Sequence, residues 1–181
     1  LIKRADTGVV DVMANDHATS GLTPSLPTDY DYKRRIFSLR TDGSNNILNG
    51  DQWGTGLVRR WDYDAPIADV SATNPGVNPV TAAMSVPSGI VVVALINFSL
   101  VSTTSAEALF ISALDNTAVA PVKGNPEVDL LPTYKSGATS WMRAASARVR
   151  TNTSAQIRYE LDASGANDIV KIATFGWEDS L

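Results

Sequence analysis

The chain has no cysteine and a single histidine among its 181 residues. The first absence rules out disulfides and thiolate metal ligands, and it removes the commonest thiol nucleophile. The second leaves Ser-His-Asp chemistry only through His17, which stands in the polar stretch Asn15-Asp16-His17-Ala18-Thr19-Ser20, where a solvated turn is the plainer reading. The longest apolar run, Ile90 to Ile96, is far short of the roughly 20 residues a spanning helix needs, so no membrane insertion is expected. Charged residues make up only 19% of the chain and the net charge is -4, so nothing draws it toward a phosphate backbone. Nucleic acid is not an expected partner.

Helical periodicity is the next thing missing. No window of helical length keeps an apolar stripe without turn residues breaking it. Period-two alternation takes its place. Ala155, Ile157, Tyr159 and Leu161 alternate with Gln156, Arg158 and Glu160, as in a strand with one face buried and the other wet. Ala145, Ala147 and Val149 do the same before Thr151-Asn152-Thr153, which reads as the loop of a long hairpin. Asp168 to Trp177 is expected to extend that same sheet. Gly89 to Val101 is apolar on both faces as far as Ile96 and reads as a central strand. Ala106 to Leu114 is expected to pair back on it across Ser102-Thr103-Thr104-Ser105. Toward the N-terminus, Val9 to Met13, Lys33 to Arg40 and Leu57 to Tyr63 read as strands, with Asp42-Gly43-Ser44-Asn45 as a tight turn. Prolines mark Thr23 to Pro27 and Asn74 to Pro79 as loops, because proline lacks the ladder's N–H donor.

With 44% apolar residues the chain has enough to bury a core. The expected fold is all-β: an antiparallel two-sheet β-sandwich, jelly-roll-like, with about eight to ten strands in one domain over 1–181. Leu1-Ile2-Lys3-Arg4 reads as the tail of a strand begun upstream, so the full chain is expected to have residues before Leu1.

Candidate chemistry is sparse. Asp62 and Asp64 would share one face of a strand, a spacing that suits calcium or a paired-carboxylate glycosidase as well as a charged strand end. No calcium-loop spacing is present, and no metal or cofactor is expected. Gly54-Thr55-Gly56 lacks the Lys-Ser/Thr ending of a phosphate-binding loop and reads as a bend or bulge. Trp53, Trp61 and Tyr63 lie close to these carboxylates, and planar rings beside acids are what sugar-stacking sites use. Tryptophan at this density more often anchors a core or an oligomer interface. Lys33, Arg34 and Arg35 suit an acidic glycan, a neighbouring subunit, or a charged strand start that resists edge pairing.

Several stretches form a set: Leu1 to Val12, Leu26-Pro27 with Tyr30, Lys33-Arg34-Arg35-Ile36, and Arg40 to Ser44 with Asn46-Ile47. Further on come Asp69 to Asn74, Ser85-Val86-Pro87 with Gly89, Arg150 to Arg158, and Ile172-Ala173-Thr174 with Gly176-Trp177. In this order they resemble a module of tail-fibre, tailspike and related virion proteins of tailed bacteriophages. Phe37 stands where that pattern usually has glycine, and Asn49-Gly50-Asp51 replaces a more apolar continuation. The resemblance implies a non-enzymatic virion component, assembled in the bacterial host cytoplasm. It would be a homotrimer contacting other virion proteins and presenting a surface to a bacterial surface glycan. Two other readings remain open: a purely architectural head-decoration or baseplate-adaptor domain, and a glycan depolymerase using Asp62 and Asp64.

Overall fold

A computed structural model describes residues 1–14, 25–54, 57–102, 107–122 and 141–180. His17 and residues 55–56 of the glycine pair lie outside the described residues. Among the described residues there is no helix, and eleven strands run in three antiparallel sheets. The strands are β1 (Ile2–Lys3), β2 (Val10–Asp11), β3 (Tyr32–Lys33), β4 (Gly50–Trp53), β5 (Val58–Thr73), β6 (Val80–Ala83), β7 (Val93–Ser102), β8 (Leu109–Ala113), β9 (Trp141–Arg150), β10 (Gln156–Leu161) and β11 (Ile169–Ser180).

From β5 onward each strand sits in the opposite sheet from the one before it. The larger sheet has the order β4-β5-β11-β7-β9 and the smaller one β6-β10-β8. The pairs β5/β11, β6/β10 and β7/β9 are therefore nested around β8, the rolled-up hairpin pattern of a jelly roll. Their inner faces meet in one core containing Ile96, Phe98 and Leu100 of β7, Ile172 and Trp177 of β11, and Ile157, Tyr159 and Leu161 of β10. Both sheets contribute because alternation puts every second side chain inward. As expected, β7 is a central strand, flanked by β11 and β9.

This topology overturns the expected sequential hairpins. The Ala-rich stretch is strand, but β9 pairs with β7 while β10 pairs with β6 and β8. The connection is a corner. Thr151 is buried and its N–H donates to Val92 O, Gly89 N–H donates to Thr153 O, and Ala155 takes a positive φ of 58° that turns the chain into the other sheet. Likewise β8 does not pair back on β7, because both edges of β7 are already filled, and the chain crosses to β10 instead. β11 joins the sheet of β9, not that of β10.

Two further differences concern the N-terminal half. The expected strand over 33–40 stops at Lys33. Beyond it the chain is held across the sandwich by side chains in place of a ladder. Arg35 donates to Asp179 Oδ1 at 2.7 Å and to Ser180 O at 2.8 Å. Trp177 Nε1 donates to Ser38 Oγ at 3.1 Å. Arg40 donates to Met84 O and Val86 O at 3.2 and 2.7 Å. The Asp42–Asn45 turn forms as expected, with the Asp42 carboxylate accepting from the Ser44 and Asn46 N–H groups at 2.8 and 2.9 Å. Those bonds hold the Asp42 carboxyl below its usual range.

β5 runs through Pro66, a residue that should end a central strand. It is tolerated because β5 itself bulges against β11 there. Thr174 pairs with Ile67 and Gly176 with Asp62, so residues 63–66 face Phe175 alone and no ladder donor is demanded of Pro66.

Candidate functional site

The sequence-predicted aromatic and acidic residues fall at one end of the larger sheet, where β4, β5 and β11 lie side by side. Alternation splits them between two faces. Trp61 and Tyr63 turn inward. Trp61 stacks on Trp177 with ring centroids 5.6 Å apart, and Tyr63 meets Trp177 edge-on at 5.5 Å. Tyr63 is only 8% exposed, and its hydroxyl donates to Ser85 O at 2.7 Å. Burial pushes its phenol pKa up, so it stays neutral. Trp61 and Tyr63 are parts of the core and form no open platform with Trp53.

Trp53, Asp62 and Asp64 take the outer face. Trp53 pairs in register with Arg60, and Asp51 with Asp62. The Trp53 ring is 55% exposed, and its Nε1 donates to Asp62 Oδ2 at 2.7 Å. Arg60 Nε donates to Asp62 Oδ1 at 2.8 Å, and its guanidinium carbon lies 4.9 Å from the Trp53 centroid and 5.8 Å from that of Phe175. Asp62 thus fastens the ring and the cation that lies over it. Sequence reasoning missed Arg60 and Phe175. Local sequence did not give Arg60: a two-residue loop between Gly54 and Leu57 would place Val58 opposite Trp53, whereas the register places Arg60 there. Phe175 takes the outer face by plain alternation with the buried Ile172 and Thr174, and the extra residue of β11 against β7 is what returns Trp177 to the core.

Gly176 makes the arrangement possible. A Cβ there would stand 2.2 Å from Trp61 O and 2.9 Å from Asp62 Oδ1. Only glycine leaves room for the Asp62 carboxylate above that strand.

The electrostatics limit what the face can hold. Asp51, Asp62 and Asp64 share it with Glu178, whose register partner is Arg60. Arg148 pairs with Glu178. Carboxylates therefore outnumber guanidiniums, and an anionic ligand would meet net repulsion. Asp62 has both oxygens occupied by Arg60 and Trp53, so it acts as a brace for those side chains. Among the described residues, no group of acids or histidines has the geometry to hold a metal ion.

The basic triplet does not form one patch. Lys33 ends β3, Arg35 reaches Asp179, and Arg34 is exposed.

No protein-family model and no curated protein matches this chain, so its own residues carry the functional reading.

Proposed function

We infer that this chain is a non-catalytic component of a phage virion appendage, in which copies of the domain, expected as a homotrimer, present an outer sheet face to a glycan of the bacterial surface. The observation that carries the binding role is the exposed Trp53 ring, with Arg60 over it and Asp62 bracing both. A flat ring offers a sugar its apolar face, while Arg60, Asp51 and Asp64 supply donors and acceptors for hydroxyl groups around it. The site sits on three hydrogen-bonded strands, so its geometry is set before any ligand arrives and little ordering entropy opposes binding. The excess of carboxylates favours neutral sugar rings over uronic or sialic acids. Several copies side by side would multiply weak contacts through effective concentration. Localisation to the virion, after assembly in the host cytoplasm, follows from the resemblance of the sequence to virion appendage modules.

The test is adhesion of fluorescently labelled protein to susceptible bacterial cells. Trp53→Ala is expected to lower bound fluorescence at least tenfold, on the scale of a lost stacking residue, with no change in melting temperature. Undiminished adhesion of that variant would remove Trp53 from the site, and absence of adhesion by the wild type would remove the attachment role.

A further inference from the structure

Glycine follows an aspartate or asparagine at two places in the chain, Asp42-Gly43 and Asn49-Gly50. Such pairs are chemically labile, because a glycine nitrogen has no neighbouring Cβ to shield it and can close on the carbonyl carbon of the preceding side chain. What holds each partner decides whether it does so, and the fold treats the two places differently.

Asp42 is held. Its carboxylate accepts from the N–H groups of Ser44 and Asn46 at 2.8 and 2.9 Å and from Asn46 Nδ2 at 3.1 Å. These bonds favour the ionised form and fix its direction, and a carboxylate is a poor target for a nucleophile. Asn49 is not held. It is exposed, it lies one residue ahead of β4, and its side chain has no hydrogen-bond partner among the described residues. Asp64 N–H donates to Asn49 O at a long 3.5 Å. That bond makes residues 49 and 64 a bonded pair, so the alternation of an antiparallel ladder points the Gly50 N–H away from β5. β4 is the edge of its sheet, and no strand takes up the N–H on that side. The glycine itself is required: a Cβ at residue 50 would stand 2.3 Å from Asp62 O and 2.6 Å from Trp61 Nε1. The packing of β4 on β5 therefore demands glycine directly after an unheld asparagine.

We propose that Asn49 is a site of spontaneous deamidation whose products disturb the strand that carries Trp53. Gly50 N gives its proton to hydroxide and bonds to Asn49 Cγ, the Cγ–Nδ2 bond breaks, and Nδ2 takes a proton from water and leaves as ammonia. Water then opens the succinimide. Cleavage between Cγ and Gly50 N leaves aspartate. Cleavage between the main-chain carbonyl carbon of residue 49 and Gly50 N leaves isoaspartate, in which the chain runs through Cγ. The net reaction consumes one water and releases one ammonia. Either product adds a carboxylate at residue 49. By strand parity an aspartate there joins Asp51 on the outer face opposite Asp64, and like charges directly opposite one another weaken strand pairing. Isoaspartate also lengthens the main chain by a methylene just before β4, which shifts Gly50–Trp53 against Arg60–Tyr63. The pairing of Trp53 with Arg60 and its bond to Asp62 both depend on that register. Loss of a ligand at Trp53 as the protein ages rests on the attachment reading above; the chemistry at Asn49 does not.

The test incubates the full chain at mildly alkaline pH, maps its peptides by mass spectrometry over time, and follows the tryptophan indole N–H resonances without ligand. The Asn49 peptide should gain the mass of amide-to-acid conversion several-fold faster than the peptide holding the exposed Asn116, with isoaspartate the larger product. Asp42 should form no isoaspartate over the same period. The Trp53 resonance should change in step with conversion while that of Trp177 holds. Asn49→Gln, whose longer side chain closes a ring far more slowly, should keep both the peptide and the Trp53 resonance unchanged. Gly50→Ala is unsuitable as a control because its methyl would collide with Asp62 O. Conversion at Asn49 no faster than at Asn116 overturns the site. Full conversion with an unmoved Trp53 resonance overturns its effect on β4. Fresh protein that fails to adhere to bacterial cells removes the attachment reading and leaves the modification site standing on its mass and resonance readouts.

Discussion

Glu107 gives the sharpest prediction about stability. It lies in the crossover from β7 to β8, 1% exposed, and hydrogen-bonds Asp168, itself 0% exposed, at the start of β11. Three connections meet at this end of the sandwich: Asn74 N–H donates to Asp168 O, Ala108 N–H to Asp162 Oδ1, and Gly76 N–H to Ser164 Oγ. A hydrogen bond from Glu107 to another carboxyl oxygen needs a proton on Glu107. Burial first, then the bond to Asp168 and its charge, and then the charge of Asp162, push Glu107 up to about 8, against a smaller opposing pull from Ser102. In the unfolded chain Glu107 titrates at the ordinary value of 4.5. Between these values the folded protein keeps a proton that the unfolded chain has released, so stability falls as pH rises from about 4.5 to about 8. At about 1.4 kcal/mol per pH unit, the full loss is at most roughly 5 kcal/mol.

Glu107→Gln tests this, because an amide keeps the donor to Asp168 and cannot ionise. Near pH 5 the variant should match the wild type. At pH 8.5 it should melt higher by as much as roughly 10–20 °C, taking about 2–4 °C per kcal/mol for a chain of this length. Calorimetry or circular dichroism across pH 5 to 8.5 reads the difference between the two curves. A wild-type curve no steeper than the variant's would refute the proton held on Glu107.

Two further predictions concern the aromatic end. Trp177→Ala, at a ring 1% exposed and packed on Trp61 and Tyr63, should cost roughly 3–5 kcal/mol in denaturant melts, whereas Trp53→Ala should change stability by less than about 0.5 kcal/mol. Gly176→Ala should cost roughly 1–3 kcal/mol or more, because the new methyl meets Trp61 O and no flexible side chain can yield. The same variant should weaken glycan binding even where it folds, since it displaces the Asp62 carboxylate that holds Trp53.

Strands were legible in the sequence where alternation was strong, as over Ala155 to Leu161, and the all-β sandwich followed from their number. Their partners were not legible. Alternation fixes which face of a strand is buried and says nothing about which neighbour it pairs with. The polar Thr151-Asn152-Thr153 looks the same whether it closes a hairpin or turns a corner between sheets. The difference lies in Thr151 being buried against Val92 and in the positive φ of Ala155, and both depend on tertiary contacts. The aromatic group was legible as a cluster but not as two. Strand parity alone separates Trp61 and Tyr63 from Asp62, yet the placement of Trp53 depends on how β4 registers against β5. Glu107 gave no warning, because an acid near the start of the expected strand Ala106 to Leu114 carries no local sign that the crossover buries it against Asp168.

The central claim is that the outer-face tryptophan, and not its inward neighbours, meets a neutral sugar. The most direct measurement follows the tryptophan indole N–H resonances of labelled protein by NMR while neutral oligosaccharide from the host surface is added. The account predicts that the Trp53 signal shifts and saturates while those of Trp61 and Trp177 stay in place. Movement of the buried pair without Trp53, or no movement of Trp53 with a ligand that demonstrably binds, would contradict it.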